Sequence, residues 1–293
     1  MKLGWALFCV GAALAQTRDP AAWGGDHVGS PLPEHVHGDE CLFCHRNDIG
    51  QTWQKNAHGI SLRQRDDAPD LIKKLNPPDS VEFFLGSRRE IRFLKKEGYG
   101  KFAILSKGSN PTWDKTGFAA RCAGCHATAV ETATKTFSAF GLDCYVCHGA
   151  VDLNHTADTK LMLLSKKRRD GAEVIASICG QCHLRGGKSK STGLPYPNQF
   201  VAGDNLFRDF EVDFALADDQ RLNAGDRHLY RSARDVVLRG SGTTCLSCHK
   251  IHGQSTEKHR RVLRDEVCLD CHNTEGPRKA VKTYTVRSAL CEY

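Results

Sequence analysis

The sequence has little methionine, few aromatic residues and few long apolar runs. Only 2 of the 293 residues are Met, and Phe, Trp and Tyr together make up 8%. Beyond the first 15 residues no stretch approaches the roughly 18 apolar residues that a membrane-spanning helix needs. We therefore expect no stable membrane insertion. The chain also has limited material for an ordinary apolar core, and it cannot supply several thioether ligands to metals.

The N-terminal segment is typical of an export signal. Lys2 supplies a positive charge, residues 3–14 are apolar, and the small residues Ala13 and Ala15 form a cleavage site. An alternative is a lipoprotein anchored through Cys9, but Phe8 stands where such signals have a small residue. We predict that residues 1–15 are a signal peptide and that the mature protein is periplasmic or extracellular.

Cysteine is abundant and strictly patterned. Of the 14 cysteines, all but Cys9 and Cys291 belong to six Cys-x-x-Cys-His sequences, here called motifs 1 to 6. A disulfide framework or zinc sites would explain paired cysteines, but neither explains a histidine after every pair. The motif cysteines are Cys41 and Cys44, Cys122 and Cys125, Cys144 and Cys147, Cys179 and Cys182, Cys245 and Cys248, and Cys268 and Cys271.

This pattern is the attachment signature of haem c. Two cysteines three residues apart lie about one helical turn apart, so their thiols can reach both vinyl groups of one porphyrin. The adjacent histidine then binds the iron from the proximal side. The sequence predicts six covalently attached haems, numbered like their motifs, with proximal ligands His45, His126, His148, His183, His249 and His272.

The opposite, distal side of each iron needs a second strong ligand. Met162 could serve one haem at most, because Met1 leaves with the signal, so histidine is the expected ligand. Eight histidines lie outside the motifs. His155 and His252 follow motif histidines by seven and three residues; if the backbone there is helical, each lies on the proximal side and should bind a neighbouring haem rather than its own. We predict distal ligands at His58, His155, His228, His252, His259 and His37, with His27 and His35 competing with His37.

The net charge of +7 does not by itself indicate a polyanion partner. Twelve propionates and six ferric centres would bring the oxidised protein to about +1. Many Lys and Arg side chains are therefore expected to pair with propionates or face solvent, and no nucleic-acid partner is predicted. The basic run at residues 166–169 is interpreted as a turn that faces solvent or haem propionates rather than as a docking patch.

The motif spacing divides the chain into modules. We predict an N-terminal arm with the haem 1 module at residues 16–58, a β-prone insertion at 59–120, a haem 2–4 module at 121–200 and a haem 5–6 module at 201–293. Short apolar runs near 80–106 predict an antiparallel meander. Helices are expected at residues 172–182 and 227–239, and a loop at 186–203. The predicted class is mainly α with extensive loops, organised around six haems.

Residues 113–155 resemble the multihaem cytochrome c superfamily. They contain CAGCH, a spacer, CYVCHG and a further histidine, His155, and doubled motifs recur at 245–272. The resemblance extends over most of residues 39–273. It implies covalent haem c, mostly bis-His ligation and electron transfer between redox partners. Nitrite reductases of this superfamily carry a Cys-x-x-Cys-Lys site, which this sequence lacks.

Three functions agree with these features. The first is an electron carrier between redox partner proteins, which is not an enzyme. The second is a subunit of a polymeric cytochrome wire, in which the arm at residues 23–38 donates a ligand to another copy. The third is a reductase of a small nitrogen or sulfur oxyanion, which needs one iron with an open distal side.

Overall fold

Short helices, loops and three antiparallel sheets make up the part of the chain that the structure describes. The computed structural model describes residues 25–86, 90–240 and 242–253. The predictions for the signal peptide, Cys9, motif 6, His259 and Cys291 lie outside these residues. The helices are α1 (Gly38–His45), α2 (Gln51–Trp53), α3 (Pro69–Leu75), α4 (Gly117–Arg121), α5 (Ala123–His126), α6 (Tyr145–His148), α7 (Ala172–His183), α8 (Leu206–Asp209), α9 (Ala224–Arg231) and α10 (Cys245–Cys248).

The predicted meander is present and is larger than expected. Its strands follow chain order in one sheet and every neighbouring pair is antiparallel. The strands near 80–106 are the three predicted ones, and a further strand joins at each edge. They are β1 (Leu62–Gln64), β2 (Phe83–Leu85), β3 (Arg92–Lys96), β4 (Phe102–Leu105) and β5 (Trp113–Asp114).

Strand β2 is buried on both faces. Because successive side chains alternate, Phe83 and Leu85 enter one apolar cluster, with Phe102 and Phe118. Phe84 enters a second cluster beneath α3, with Leu71. The helix ends at Asn76, which adopts a left-handed conformation (φ 42°) before two prolines. The sheet thus has a conventional core, despite the low aromatic content of the whole sequence.

The sheet's first cluster extends into motif 2. Ala123 of α5 and Ala127 immediately after it pack with Phe102 and Phe137. Ala127 begins β6 (Ala127–Glu131), which pairs with β7 (Thr136–Phe140). The β-rich region therefore fixes the position of one haem-attachment sequence.

Each described motif lies on a helix of its own. α1, α5, α6 and α7 end at the motif histidine, while α10 ends one residue before it. α7 is the longest, and it contacts α5, α6 and α10. Motif 4 therefore lies at the centre of the motif helices.

The predicted helices at 172–182 and 227–239 are both found. The first is α7; the second is α9 followed by a π-helical turn, Ser232–Val237. α9 begins before residue 227 because the Asn223 side chain accepts a hydrogen bond from the Asp226 N–H (3.0 Å). Residues 186–203 are mostly loop, but β8 (Lys188–Ser189) pairs there with β9 (Phe210–Glu211). The three sheets make the described region more mixed than the predicted mainly α class.

The basic run at 166–169 lies in a turn, as predicted. Arg168 forms an ion pair with Asp170 (2.7 Å) and donates to the carbonyl of Lys160. None of the helices in the described ranges is long and apolar enough to span a membrane.

Candidate haem centres

Thiols from different motifs lie beside one another. The Cys144 thiol lowers the pKa of Cys41, the Cys182 thiol lowers that of Cys125, and the Cys179 thiol lowers that of Cys245. Each of these cysteines is a free thiol. Motif 1 therefore meets motif 3, and motif 4 meets both motif 2 and motif 5.

Motifs 2 and 4 contact each other reciprocally. The Cys125 thiol points at the carbonyl of Gln181, and the Cys182 thiol points at the carbonyl of Gly124, each at 3.8 Å. Each cysteine thus faces the residue that precedes the other cysteine. This relation is a local two-fold pairing of two attachment sequences.

Three imidazole pairs have the spacing of axial ligands on a common iron. The ring centres are 6.4 Å apart for His45 and His155, 5.9 Å for His148 and His252, and 6.0 Å for His58 and His183. Metal–imidazole bonds of about 2 Å put two rings on opposite sides of one metal at roughly 6 Å between centres. Each pair combines one motif histidine with one histidine predicted to be distal.

The other nitrogen of several of these rings is held by an oxygen. Nδ1 of His148 donates to the carbonyl of Leu163 (2.7 Å), and Nδ1 of His155 donates to that of Asp152 (2.9 Å). Nδ1 of His58 lies 3.1 Å from Oδ1 of Asn56. Such bonds fix the tautomer, so that Nε2 carries a lone pair for a metal.

His228 lies near the histidine of motif 5. His249 lowers the pKa of His228, as an additional cause after burial. His228 is on α9, in the helix predicted to lead into this motif. This effect on the pKa places His249 in the neighbourhood of His228, without a ring contact between them.

The histidine of motif 2, like that of motif 5, has no imidazole in ring contact within the described residues. Burial lowers the pKa of His126 to about 4, and the charge of Arg185 adds to the shift. Nδ1 of His126 is buried without a hydrogen-bond partner. The charged neighbour of this histidine is therefore a guanidinium group.

Two of the three histidines of the arm, His27 and His35, contact residues elsewhere in their own chain. Nδ1 of His27 lies 2.8 Å from Asp204, and Nε2 of His35 lies 2.7 Å from Asp143. The ring of His37 packs on that of His35 at 4.5 Å. The Gln199 side chain also donates to the carbonyl of Ser30. The described part of the arm, from residue 25, therefore folds back on the protein.

The helical spacing used to select His155 and His252 is not found. α6 ends at His148, and Gly149 follows with a φ of 69°. His249 is extended rather than helical. A positive φ, which favours glycine, breaks the helix at once, so the seven-residue spacing does not place His155 on the side of His148. Both rings nevertheless lie opposite histidines of other motifs, which agrees with the expectation of a neighbouring haem.

The residues fit covalent haem c. Each described motif supplies two thiols on one helical turn and an adjacent imidazole, and three such imidazoles have a partner ring at axial-ligand spacing. Sequence reasoning missed the carboxylates that contact histidines, notably Asp48, which lies 3.1 Å from Nδ1 of His45. An Asp three residues after a motif histidine could have indicated this contact.

Two comparisons with known proteins agree with this chemistry. Residues 238–277 match the family model described as a doubled CXXCH motif. The fold is similar to the crystal structure of the outer cell wall cytochrome OcwA, with a TM-score of 0.53 and 19% identity, over 83% of this chain and 68% of that one. No curated protein matches the sequence. The paired motif and the shared fold together support a multihaem c-type cytochrome with covalently bound haem.

Proposed function

We propose that the protein is a periplasmic or extracellular hexahaem c-type cytochrome that passes electrons between redox partner proteins through bis-His haems. The observation that carries this proposal is the set of three imidazole pairs whose ring centres lie 5.9, 6.0 and 6.4 Å apart. An iron with two strong axial ligands exchanges electrons without binding a substrate.

The haem supplies one-electron chemistry at iron, and the chain supplies attachment and ligands. We assign His155 as the distal ligand of haem 1, His252 of haem 3, His58 of haem 4 and His228 of haem 5. Three of these ligands, His155, His252 and His58, belong to segments distant from the motifs that they serve, whereas His228 lies on the helix that leads into motif 5. Binding of these histidines to iron would therefore link the modules of the chain and would also influence the reduction potentials of the haems. His259 and His37 stay predictions for the remaining irons.

The contacts between motifs favour a connected array. Thioether bonds form at the thiols, so cysteines that touch bring porphyrin edges close together. Cys41 and Cys144 would join haems 1 and 3, and the two cysteines of motif 4 would join haem 4 to haems 2 and 5. Contact between α6 and α7 would connect haem 3 with haem 4. Electron tunnelling needs such short edge distances, and haem 4 would be the junction.

The proposed location rests on the N-terminal sequence and on the similar protein. Residues 1–15 have the composition of a signal peptide, and OcwA is an outer cell wall cytochrome. Haem attachment at Cys-x-x-Cys-His sequences in an exported protein agrees with both.

Mass and spectra of the exported protein test this function. We expect an intact mass with six haems and a ferric spectrum dominated by low-spin haem. Replacing His58 in H58A should convert one haem to a high-spin form, because haem 4 would lose a ligand, whereas K55A, at an exposed neighbour, should change nothing. Fewer than six haems, or an H58A spectrum like that of the unmodified protein, would contradict the proposal.

One observation favours the reductase as a second candidate. The described residues place no imidazole against His126, and Arg185 supplies a positive charge near it. An open iron beside a cation would suit an oxyanion. Titrating the ferrous protein with carbon monoxide tests this: one equivalent bound per chain supports the reductase, and no binding excludes it.

The wire hypothesis receives no support from the arm. Its described residues contact Asp143, Gln199 and Asp204 of the same chain. We therefore propose that the protein acts without polymerising through this arm. Filaments in electron micrographs of the purified protein that vanish when residues 17–37 are deleted would overturn this.

A further inference from the structure

We propose that Asp48 lowers the reduction potential of haem 1 by hydrogen-bonding to its proximal ligand, His45, and so makes haem 1 the end of the array at which electrons enter. This inference rests on the proposed ligand role of His45 and adds a residue that tunes the route. Asp48 would not touch the iron; it is a positioning residue that acts through the imidazole.

The chain holds the Asp48 carboxylate by both oxygens. Oδ2 accepts from Nδ1 of His45 at 3.1 Å, and Oδ1 accepts from the Ile49 N–H at 2.7 Å. Asp48 lies in a π-helical turn, Arg46–Gly50, directly after α1. Turns of this kind are rare in proteins, and those that occur are often found at functional sites. The carboxylate is therefore oriented toward the ring, while 63% of the Asp48 side chain is exposed to solvent.

The contact differs from those of the other ligand histidines. His148 and His155 donate from Nδ1 to backbone carbonyls, and Nδ1 of His58 faces an amide oxygen. In the described ranges, no other motif histidine has a carboxylate at hydrogen-bond distance; His27 and His35, which do, lie outside the motifs. Haem 1 would thus have the most electron-rich proximal ligand of the described haems.

The physical effect follows from charge. A carboxylate that accepts the Nδ1–H bond gives the imidazole partial imidazolate character and makes it a stronger donor to the metal. The ferric ion carries one more positive charge than the ferrous ion, so this donor stabilises the oxidised state more. The reduction potential of haem 1 therefore falls.

The position of haem 1 gives this shift a direction. Motif 1 contacts motif 3 through Cys41 and Cys144, whereas motif 4 contacts three other motifs. Among the motifs that the structure describes, motif 1 thus lies at one end of the contacts. An electron on a low-potential end haem runs downhill to haem 3 and then to the junction at haem 4.

Potentiometry of the complete six-haem protein tests the role of Asp48. We expect D48N to raise the potential of one component by more than any other, and D48E to restore most of the original value. The component of haem 1 is identified as the one missing from C41A/C44A. Should that double variant fail to mature, H155M labels haem 1 instead, because it changes the ligand on the opposite side.

The matched control is D39N. It also removes one negative charge near motif 1, but Asp39, on α1, makes no bond to His45. Equal shifts of the potential in D39N and D48N would overturn the proposal. The effect would then come from the loss of any nearby negative charge rather than from the loss of the bond to His45. An unchanged haem 1 potential in D48N would also overturn it. If D48N keeps six low-spin haems in either case, the proposed function as an electron carrier is unaffected. A missing or high-spin haem 1 in the unmodified protein would instead contradict electron transfer through bis-His haems.

Discussion

The five-stranded sheet and the haem-motif region are stabilised in different ways. In the sheet, Phe102 is 2% exposed and its ring centre lies 4.9 Å from that of Phe83 and 5.1 Å from that of Phe118. Side chains alone complete this core. The motif region instead brings together thiols and imidazoles that are partly exposed. The motif region has the thiols and imidazoles that hold a cofactor, but fewer apolar side chains that exclude water.

This difference indicates which of the two regions needs the cofactor for its stability. An apolar cluster of close-packed rings is stable by itself, whereas helices as short as α5, α6 and α10 are marginal unless tertiary contacts support them. Porphyrins would supply these contacts in the motif region. α5 belongs to both regions, because Ala123 packs on the sheet while Cys125 contacts motif 4.

The largest expected effect comes from removing haem 4. In C179A/C182A the intact mass should fall by one haem, and the motif region should lose on the order of 5–10 kcal/mol, at about 25 cal/mol per Å² of apolar surface no longer buried. Denaturant unfolding followed by haem absorbance measures this. The control C41A/C44A, at the end of the array, should cost less. Equal losses in both variants would argue against a central haem 4.

A smaller effect is expected in the sheet core. F102A should destabilise the sheet by about 3–5 kcal/mol, because a buried aromatic ring leaves a cavity. Far-ultraviolet circular dichroism during unfolding follows the sheet, and Y99A is the control, since Tyr99 is 86% exposed. The haem count should stay unchanged. Loss of haems 4 and 5 in F102A would show that the sheet and the motif region are not stabilised independently.

A spectroscopic change with little loss of stability is expected at haem 3. H252A removes the ring that lies 5.9 Å from His148, so one haem should become high-spin and bind cyanide. Electron paramagnetic resonance measures the spin state, and the exposed neighbour Lys250 provides the control K250A. A low-spin spectrum in H252A would remove His252 from the ligand set.

The smallest effect is expected where the arm meets the motif region. The Asp204 carboxylate contacts His27 and accepts from the Val201 N–H (3.0 Å). D204N weakens both bonds and should cost about 1 kcal/mol. Limited proteolysis of the arm should become faster, while E34Q, at an exposed residue of the same arm, should change the rate less. Unchanged proteolysis in D204N would mean that other contacts hold the arm.

Local patterns predicted the meander and α7 because both depend on neighbouring residues. Short apolar runs separated by turn residues indicated strands β2 to β4, and the run at residues 172–182 indicated the helix. The edge strands β1 and β5 were missed, since three-residue and two-residue strands carry too short a pattern. The helical spacing for His155 was wrong because Gly149 takes a positive φ, which composition alone does not reveal.

The sequence by itself determined which atoms can hold haem. A spacing of three residues between cysteines, with histidine next, is a local property that survives any change in the rest of the fold. Only the tertiary structure decided which histidines face each other and which motifs touch. His45 and His155, or Cys125 and Cys182, are distant along the chain, and their approach depends on how α7, the sheet and the arm pack. Attachment chemistry is thus local, whereas ligand pairing and the electron route are products of packing.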